Sequence, residues 1–494
     1  SPSLPPNTYS SDSPLTGGFS CRYTLPSMTT TLTSTVEFNA DLLRKYNQPL
    51  PRYTSYPPAT EMKAPFSGDA LRSAIAAGNY KKTPLSLYCH IPFCDSACYF
   101  CGCNTIITGH KDVADPYLDY LIRNIEQVAG MTTRRQVNQM HWGGGTPNYL
   151  NLHQVERLWK SLHENFDFAP DAEISIEVNP RQLDRNFVMG LRDLGFNRIS
   201  FGIQDFNPQV QEAVNRIQPE EMLFQGMAWM REAGFDSVNV DLIYGLPYQT
   251  LETFRDTIRK TVALDPDRIA VFNFAYVPWL MPIQKKHIEP ATLPGPAEKL
   301  DILHMSIDEL TTTGGYQFIG MDHFAKPDDE LSVAQRRGDL HRNFQGYTTQ
   351  PESDLLSFGM TSITMAQDVY VQNHKKLKDY YRAVDAGELP IAKGVILTKD
   401  DELRRAVIME LMCQFELSKP AIEEKYHLSF DQDFDEYFAA EHRELEALAE
   451  DGLVELTPNH VRVTPAGRLL IRNIASVFDT YLHQHRGTKF SQSV

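Results

Sequence analysis

From residue 85 the chain alternates short β-type runs with longer amphipathic ones, and this alternation restricts its fold more than any other feature. Strand-like runs fall at 85–91, 137–142, 173–178, 198–205, 237–244 and 268–276. Helical stretches at 115–129, 152–166, 183–194, 219–233 and 251–264 separate them. Turn signals mark the joints: Gly143-Gly144-Gly145, Asn179-Pro180, Gly195, Gly234, and Gly245 with Pro247. Repeated strand–helix units lay successive strands parallel in one sheet, either doubly wound or curled into a barrel.

The side chains favour the barrel. Strands buried on both faces read as nearly continuous apolar runs. Here Glu173, Ser175 and Glu177 share one face, against Ile174, Ile176 and Val178. Ser200, Gly202 and Gln204 oppose Ile199, Phe201 and Ile203, and Ser237, Asn239 and Asp241 oppose Val238, Val240 and Leu242. Left unpaired in a dry core, such groups would cost about 1–3 kcal/mol each. A wet, ligand-holding lumen is therefore expected, with its chemistry at the C-terminal strand ends, where Glu177, Gln204 and Asp241 fall.

A length of 494 residues exceeds one ordinary core and predicts two or three domains. The boundaries read as a tail over 1–39, an N-terminal segment over 40–84, the strand–helix body over 85–394, and a C-terminal domain over 395–494. The last is helical and then hairpin-like, a winged-helix pattern. Its acidic excess and the net charge of −16 argue against reading DNA. No apolar run approaches the roughly 20 residues of a membrane span. The first 27 residues are rich in Ser, Thr and Pro, lack a basic segment followed by an apolar one, and precede Met28. They read as a tail and not as a secretory signal.

Five of the seven cysteines fall between Cys89 and Cys103. A disulfide scaffold would be small and would spread its cysteines, so bunching in a long chain points to metal chemistry in a reducing, cytoplasmic setting. The core of the group is Cys94-Asp-Ser-Ala-Cys98-Tyr-Phe-Cys101-Gly-Cys103-Asn104, directly after a strand. Three thiolates at this spacing can hold three irons of a cubane and leave the fourth open to a substrate. A zinc knuckle closed by Cys103 or His90 is the competing reading, although such sites usually staple small modules.

CxxxCxxC after the first strand, with Gly143-Gly144-Gly145-Thr146-Pro147 after the second, is the radical S-adenosylmethionine (SAM) pattern. In detail the chain resembles the oxygen-independent coproporphyrinogen III oxidases from about residue 40 to its C-terminus. The resemblance is carried by Pro51-Arg52-Tyr53-Thr54-Ser55-Tyr56-Pro57, the cluster loop, Asp241-Leu242-Ile243-Tyr244-Gly245-Leu246-Pro247, Gly320-Met321-Asp322-His323-Phe324 and His341-Arg342-Asn343-Phe344-Gln345-Gly346-Tyr347.

The resemblance implies an α/β fold: a partial (β/α)6 radical SAM barrel with an N-terminal segment and a helical, winged-helix-like C-terminal domain. It implies a 4Fe–4S cluster on Cys94, Cys98 and Cys101, with Cys103 beside it, and two SAM molecules. Tyr88, Gly144, Glu177 and Ile363 would meet the first, on the cluster. Phe100, Gly145, Thr146, Gln204, Arg216, Asp241 and Ala275 would meet the second. Arg52 and Arg342 would close over the substrate from opposite sides. Implied partners are coproporphyrinogen III, an electron donor such as flavodoxin or ferredoxin, and a final electron acceptor the sequence does not identify. The expected product is protoporphyrinogen IX, two propionates having become vinyl groups, and the expected assembly is a monomer. A haem-carrying relative without decarboxylase activity is the nearest rival. That branch has an aromatic at the position of Cys103 and lacks the 51–57 segment, and both features are present here.

Overall fold

All six expected strands form in the computed structural model, which describes residues 36–350, 353–428 and 433–484. They are β1 (Leu85–Ile91), β2 (Gln136–Gly144), β3 (Asp167–Val178), β4 (Arg198–Gln204), β5 (Ser237–Tyr244) and β6 (Arg268–Asn273). Each pairs in parallel with the next. The crossovers are α1 (Ala114–Ala129), α2 (Leu152–Asn165), α3 (Arg185–Leu194), α4 (Glu220–Ala233) and α5 (Leu251–Leu264). Local chemistry sets their ends. Asn151 and Gln154 form a reciprocal capping box on α2, and Asp184 caps α3. Gly195 closes α3 with a left-handed φ of 114°.

The apolar strand faces, among them Ile176, Val178, Phe201 and Val240, are buried in the main core with Val188, Leu191 and Leu223 of the helices. The polar faces turn into the lumen. Its N-terminal end is plugged by ion pairs, Arg198 with Glu173 at 3.3 Å and Arg268 with Asp329 and Glu330 at 3.0 Å each. The C-terminal end opens into a cavity. The lumen is thus open at one end and salt-bridged at the other.

Two features differ from the sequence reading. Strand β3 begins at Asp167, well before residue 173, because its register against β2 shifts between Val137 and Gln139. A seventh parallel strand, Asp354–Phe358, also lies against the outer edge of β1. It is five residues long, buried throughout and without alternation, so no periodicity reveals it. It leads into antiparallel strands Ile363–Ala366, Val369–Asn373 and Ile391–Ile396 on that edge. His323–Ala325 and Gln317–Gly320 extend the β6 edge, giving a sheet of twelve strands. Asp354 pins the added strand: Arg135 Nη1 donates to it at 2.6 Å, and the two side chains are 3% and 2% exposed.

Beyond the barrel, helix Lys399–Gln414, strand Glu416–Ser418, helices Lys419–Tyr426 and Ala439–Glu450, and the hairpin Val454–Leu456 with His460–Val463 follow winged-helix order. The stretch 37–56 is fastened to residues 451–480. Glu37 N donates to Pro465 O at 3.0 Å, and Asn473 Nδ2 to Tyr46 O at 2.7 Å. Tyr53 Oη donates to Asp479 at 3.0 Å, and Tyr56 Oη pairs with Thr480 Oγ1 at 3.1 Å. Arg472 donates to the carbonyls of Leu50 and Pro51. Residues 1–35 of the expected tail, with Met28, lie outside the described residues. Among the described residues no helix is long and apolar enough to cross a membrane.

Candidate active site

The loop leaving β1 is tied to the glycines ending β2. Gly145 N donates to Ile91 O at 2.8 Å and Thr146 N to Phe93 O at 2.9 Å, while Thr108 N returns to Cys94 O at 2.9 Å. The glycines allow this approach: a Cβ on Gly145 would sit 2.7 Å from the Pro92 backbone, and one on Gly144 (φ 115°) would sit 2.5 Å from the His90 ring. Beside this joint lies a cavity of about 270 Å3. Cys94, Cys98, Cys101 and Cys103 all line it, as do Phe100, Gly144, Gly145, Thr146, Glu177, Gln204, Arg216 and Asp241.

The thiols sit in a setting suited to anionic sulfur. Arg216 Nη1 and Arg181 Nη2 lie 3.5 and 3.7 Å from Cys98 Sγ, and Thr146 Oγ1 lies 3.1 Å from Cys94 Sγ. The Cys103 thiol and its backbone N–H, 3.4 Å away, bring Cys101 down to about 7, and burial lifts Cys94 to about 11. Arg216 also donates to Gly202 O at 2.8 Å and Gln218 Oε1 at 3.1 Å, so its guanidinium is already fixed.

Across the cavity stand two carboxylates of different character. Burial opposes the charge of Glu177, but a hydrogen bond from His141 Nε2 (3.2 Å) outweighs it and holds the group below the usual carboxylate value. His141 Nδ1 is anchored by Ser175 Oγ at 2.6 Å. Glu177 lies deep in the barrel, yet 45% of its side chain is open to the cavity. Asp241 is pushed up to about 6 by burial and by repulsion from Glu177, although Ser200 Oγ (2.9 Å) and Asn239 Nδ2 (2.8 Å) donate to it.

Three other expected residues lie beyond the lining. Tyr88 contacts His90 Nδ1 through its hydroxyl at 3.1 Å and stacks on His141, one residue removed from Glu177. Ala275 is exposed just past β6, its carbonyl accepting from Gln284 at 3.1 Å. Ile363 packs with Met62, Tyr370 and Leu397.

A second polar group forms where segments 51–57, 320–324 and 341–347 converge. Arg52 is ion-paired to Asp322, and its guanidinium lies 5.8 Å from the Phe272 ring. Arg342 lies 4.7 Å over Tyr347, with Nε and Nη1 both buried and without a hydrogen-bond partner. His323 packs edge-on to Tyr347 and Phe272 and also carries a buried, unpartnered Nδ1. Arg472 completes the set; burial, with Arg52 nearby, lowers it to about 10.

The radical SAM superfamily pattern matches residues 88–261, and the HemN C-terminal domain pattern matches residues 397–470. The chain is 63% identical to the oxygen-independent coproporphyrinogen III oxidase of Synechocystis sp. over 469 residues, 94% of this chain and 100% of that protein. It is 51% identical to the Escherichia coli protein of the same name over 460 residues, 93% of this chain and 99% of that one. This chain belongs to the oxygen-independent coproporphyrinogen III oxidase family. The solved structure of the Escherichia coli coproporphyrinogen III oxidase, a radical SAM enzyme, matches it with a TM-score of 0.86 at 50% identity, over 91% of this chain and 100% of that one.

As a radical SAM protein, this member of the oxidase family uses a 4Fe–4S cluster and SAM. Its residues fit both groups. Four thiols open into one cavity with guanidinium donors aimed at sulfur, and glycines and carboxylates that suit an amino-acid nucleoside face them. The sequence reading missed His141, which holds Glu177, and Arg472. The alternating lumen face of β2 could have revealed His141, two residues after Gln139. Arg472 sits in a short helix with no motif to mark it.

Proposed function

We propose that this chain catalyses the oxygen-independent oxidative decarboxylation of coproporphyrinogen III, turning two propionates into vinyl groups to give protoporphyrinogen IX. The relatives' names support the oxidase reading and not the haem-carrying alternative. The carrying observation is Arg342, a half-buried residue whose Nε and Nη1 are buried and unpartnered, with Arg52 and Arg472 nearby. Such donors await an anion, because a buried N–H left unpaired costs about 1–3 kcal/mol. Substrate carboxylates that accept from Arg342 fit that need.

When bound, the cluster and SAM supply a deoxyadenosyl radical that takes a hydrogen atom from carbon. The protein's part is placement. In this reading Cys94, Cys98 and Cys101 hold the cluster, Cys103 stands beside it without ligating, and Glu177 and the Gly144 backbone orient the first SAM. Tyr88 backs that SAM site through His141, and Ile363 packs behind it. Gln204, Asp241 and Arg216 extend along later strands beyond what one SAM needs, so a second SAM is assigned to them with Phe100, Gly145, Thr146 and Ala275. Arg52 and Arg342 orient the propionates, and the 40–84 segment closes the site against water. Each of the two converted propionates would lose a hydrogen atom from its β-carbon, carbon dioxide, and one electron to an acceptor. We place the reaction in the cytoplasm of a cell, carried out by a monomer.

The test is anaerobic turnover with Arg342→Gln. Losing one charge-assisted contact should weaken substrate use roughly ten- to a hundredfold, with the cluster spectrum and SAM binding unchanged. A tetraester of the porphyrinogen should not react. Wild-type kinetics in the variant together with conversion of the tetraester would overturn the assignment of this substrate face.

A further inference from the structure

We propose that the surface flanking the cluster loop is the docking site of an acidic protein that carries one electron at a time. The inference rests on the cluster reading above and adds where its electron enters.

A chain of net charge −16 repels an acidic partner. Several lysines are spent locally: Lys111 on Asp95 at 2.9 Å, Lys260 on Glu220 at 2.8 Å, Lys326 on Asp265 at 2.8 Å, and Lys419 on Asp435 at 2.7 Å. Lys285, Lys286, Lys375, Lys376 and Lys378 are different. All are exposed, and none makes an ion pair among the described residues. The one acid inside the second group, Asp379, is paired with Arg382 at 2.6 Å.

Both groups are fastened to the loop that carries the thiols. On one side the ring of His287, which follows Lys286, stacks on Tyr99 at 4.1 Å and 11°. Buried Gln284 of the same turn reaches the Phe100 and Ala275 carbonyls at 3.5 and 3.1 Å. On the other side Asn104 Nδ2 donates to Lys375 O at 3.2 Å. Between them Gly102, Cys103 and Asn104 are exposed, next to Cys101. Uncompensated cations thus stand on both flanks of the surface nearest the cluster ligands. Just before Lys285, Leu280 is 62% exposed, an apolar contact of the kind found at the centre of transient interfaces.

Placement matters because charge acts over a Debye length of only about 8 Å at physiological salt. A local positive field there steers an acidic carrier to the cluster despite the overall repulsion. Small neutral reductants gain nothing from it.

The experiment uses the cluster-loaded enzyme and two charge reversals, Lys285→Glu/Lys286→Glu and Lys375→Glu/Lys376→Glu/Lys378→Glu. Cluster reduction is followed by loss of its visible absorption after mixing with reduced plant-type ferredoxin, and separately with photoreduced deazariboflavin. At low salt the reversals should slow reduction by ferredoxin roughly tenfold or more, with the gap closing as salt is raised. Reduction by deazariboflavin should keep the wild-type rate. Calorimetric titration with oxidised ferredoxin should show the same loss of affinity. Wild-type rates with ferredoxin overturn the proposal, and so does an equal loss with both reductants, which means a damaged cluster. A raised KM for coproporphyrinogen in turnover driven by deazariboflavin also overturns it, because the lysines then serve the substrate. A wild-type preparation without visible cluster absorption would instead sink the cluster reading itself.

Discussion

Replacing Gly145 with alanine tests how tightly the cluster loop is set against β2. The added Cβ would lie 2.7 Å from both Pro92 C and Pro92 O, and 2.9 Å from Phe93 O. Comfortable carbon contacts begin near about 3.5 Å, so the backbone must yield by roughly 0.8 Å. Neither side can turn away, since Gly145 N and Thr146 N are already bonded to the carbonyls of Ile91 and Phe93. Phe93 immediately precedes Cys94, so the displacement passes to that thiol and to its 3.1 Å contact with Thr146. Overpacking of this kind costs about 1–3 kcal/mol. Cluster bonds tolerate far less, on the order of 0.2 Å. Gly145→Ala should therefore fold, lose about 1–3 kcal/mol in urea unfolding, and bind clearly less iron and sulfide per chain. Gly102→Ala is the control, because a Cβ there meets nothing within 4 Å. Full iron content in Gly145→Ala, or an equal loss in Gly102→Ala, would refute this account of the loop.

Arg135→Met should destabilise the chain by about 3–5 kcal/mol in urea unfolding, since Asp354 would keep its bonds from Gln367 but be left buried without a counter-charge. Adding Asp354→Asn should recover part of that, and a single-variant loss below about 1 kcal/mol would mean the pair does not pin its strand. Burial, reinforced by Arg342 and Arg52 against the pull of Asp322, depresses His323 to about 4. Between about pH 6.5 and 4 the unfolded chain takes up a proton that the folded one refuses, so stability falls over that window by about 3 kcal/mol and levels off below it. His323→Gln should flatten that part of the stability–pH curve, and an unchanged slope would show that the ring is not held neutral.

The legible parts were those with a period or a spacing. Alternation in 173–178 and 237–242 exposed a polar lumen face, and the structure places Glu177 and Asp241 on the cavity it predicted. The thiol spacing found a loop whose cysteines share that cavity. Asp354–Phe358 was not legible, because a short strand buried on both faces has no alternation and no crossover helix announces it. The plug at the barrel's N-terminal end was hidden for another reason. Glu173 reads as lumen polarity, while the arginines beside it, Arg198 and Arg268, take Glu330 and Asp329 as partners from a distant helix start. The contacts of Arg472 across more than 400 residues of sequence leave no local trace.

Those same long-range contacts impose an order on synthesis. Many of the residues that hold 37–56 in place, from Asp451 to Thr480, are made more than 400 residues after the segment they fasten. Until then Arg52 can reach Asp322 and the Tyr56 carbonyl can reach Tyr370, but Leu50, Pro51 and the Tyr53 hydroxyl lack their partners, while β1, β2 and the thiol loop between them have long been made. A chain that has not yet reached Asp451 therefore carries its thiol loop complete but lacks the contacts that frame it from the C-terminal side. Limited proteolysis of chains stalled before residue 451 reads this directly, with cleavage around 51–57 that the full-length protein resists.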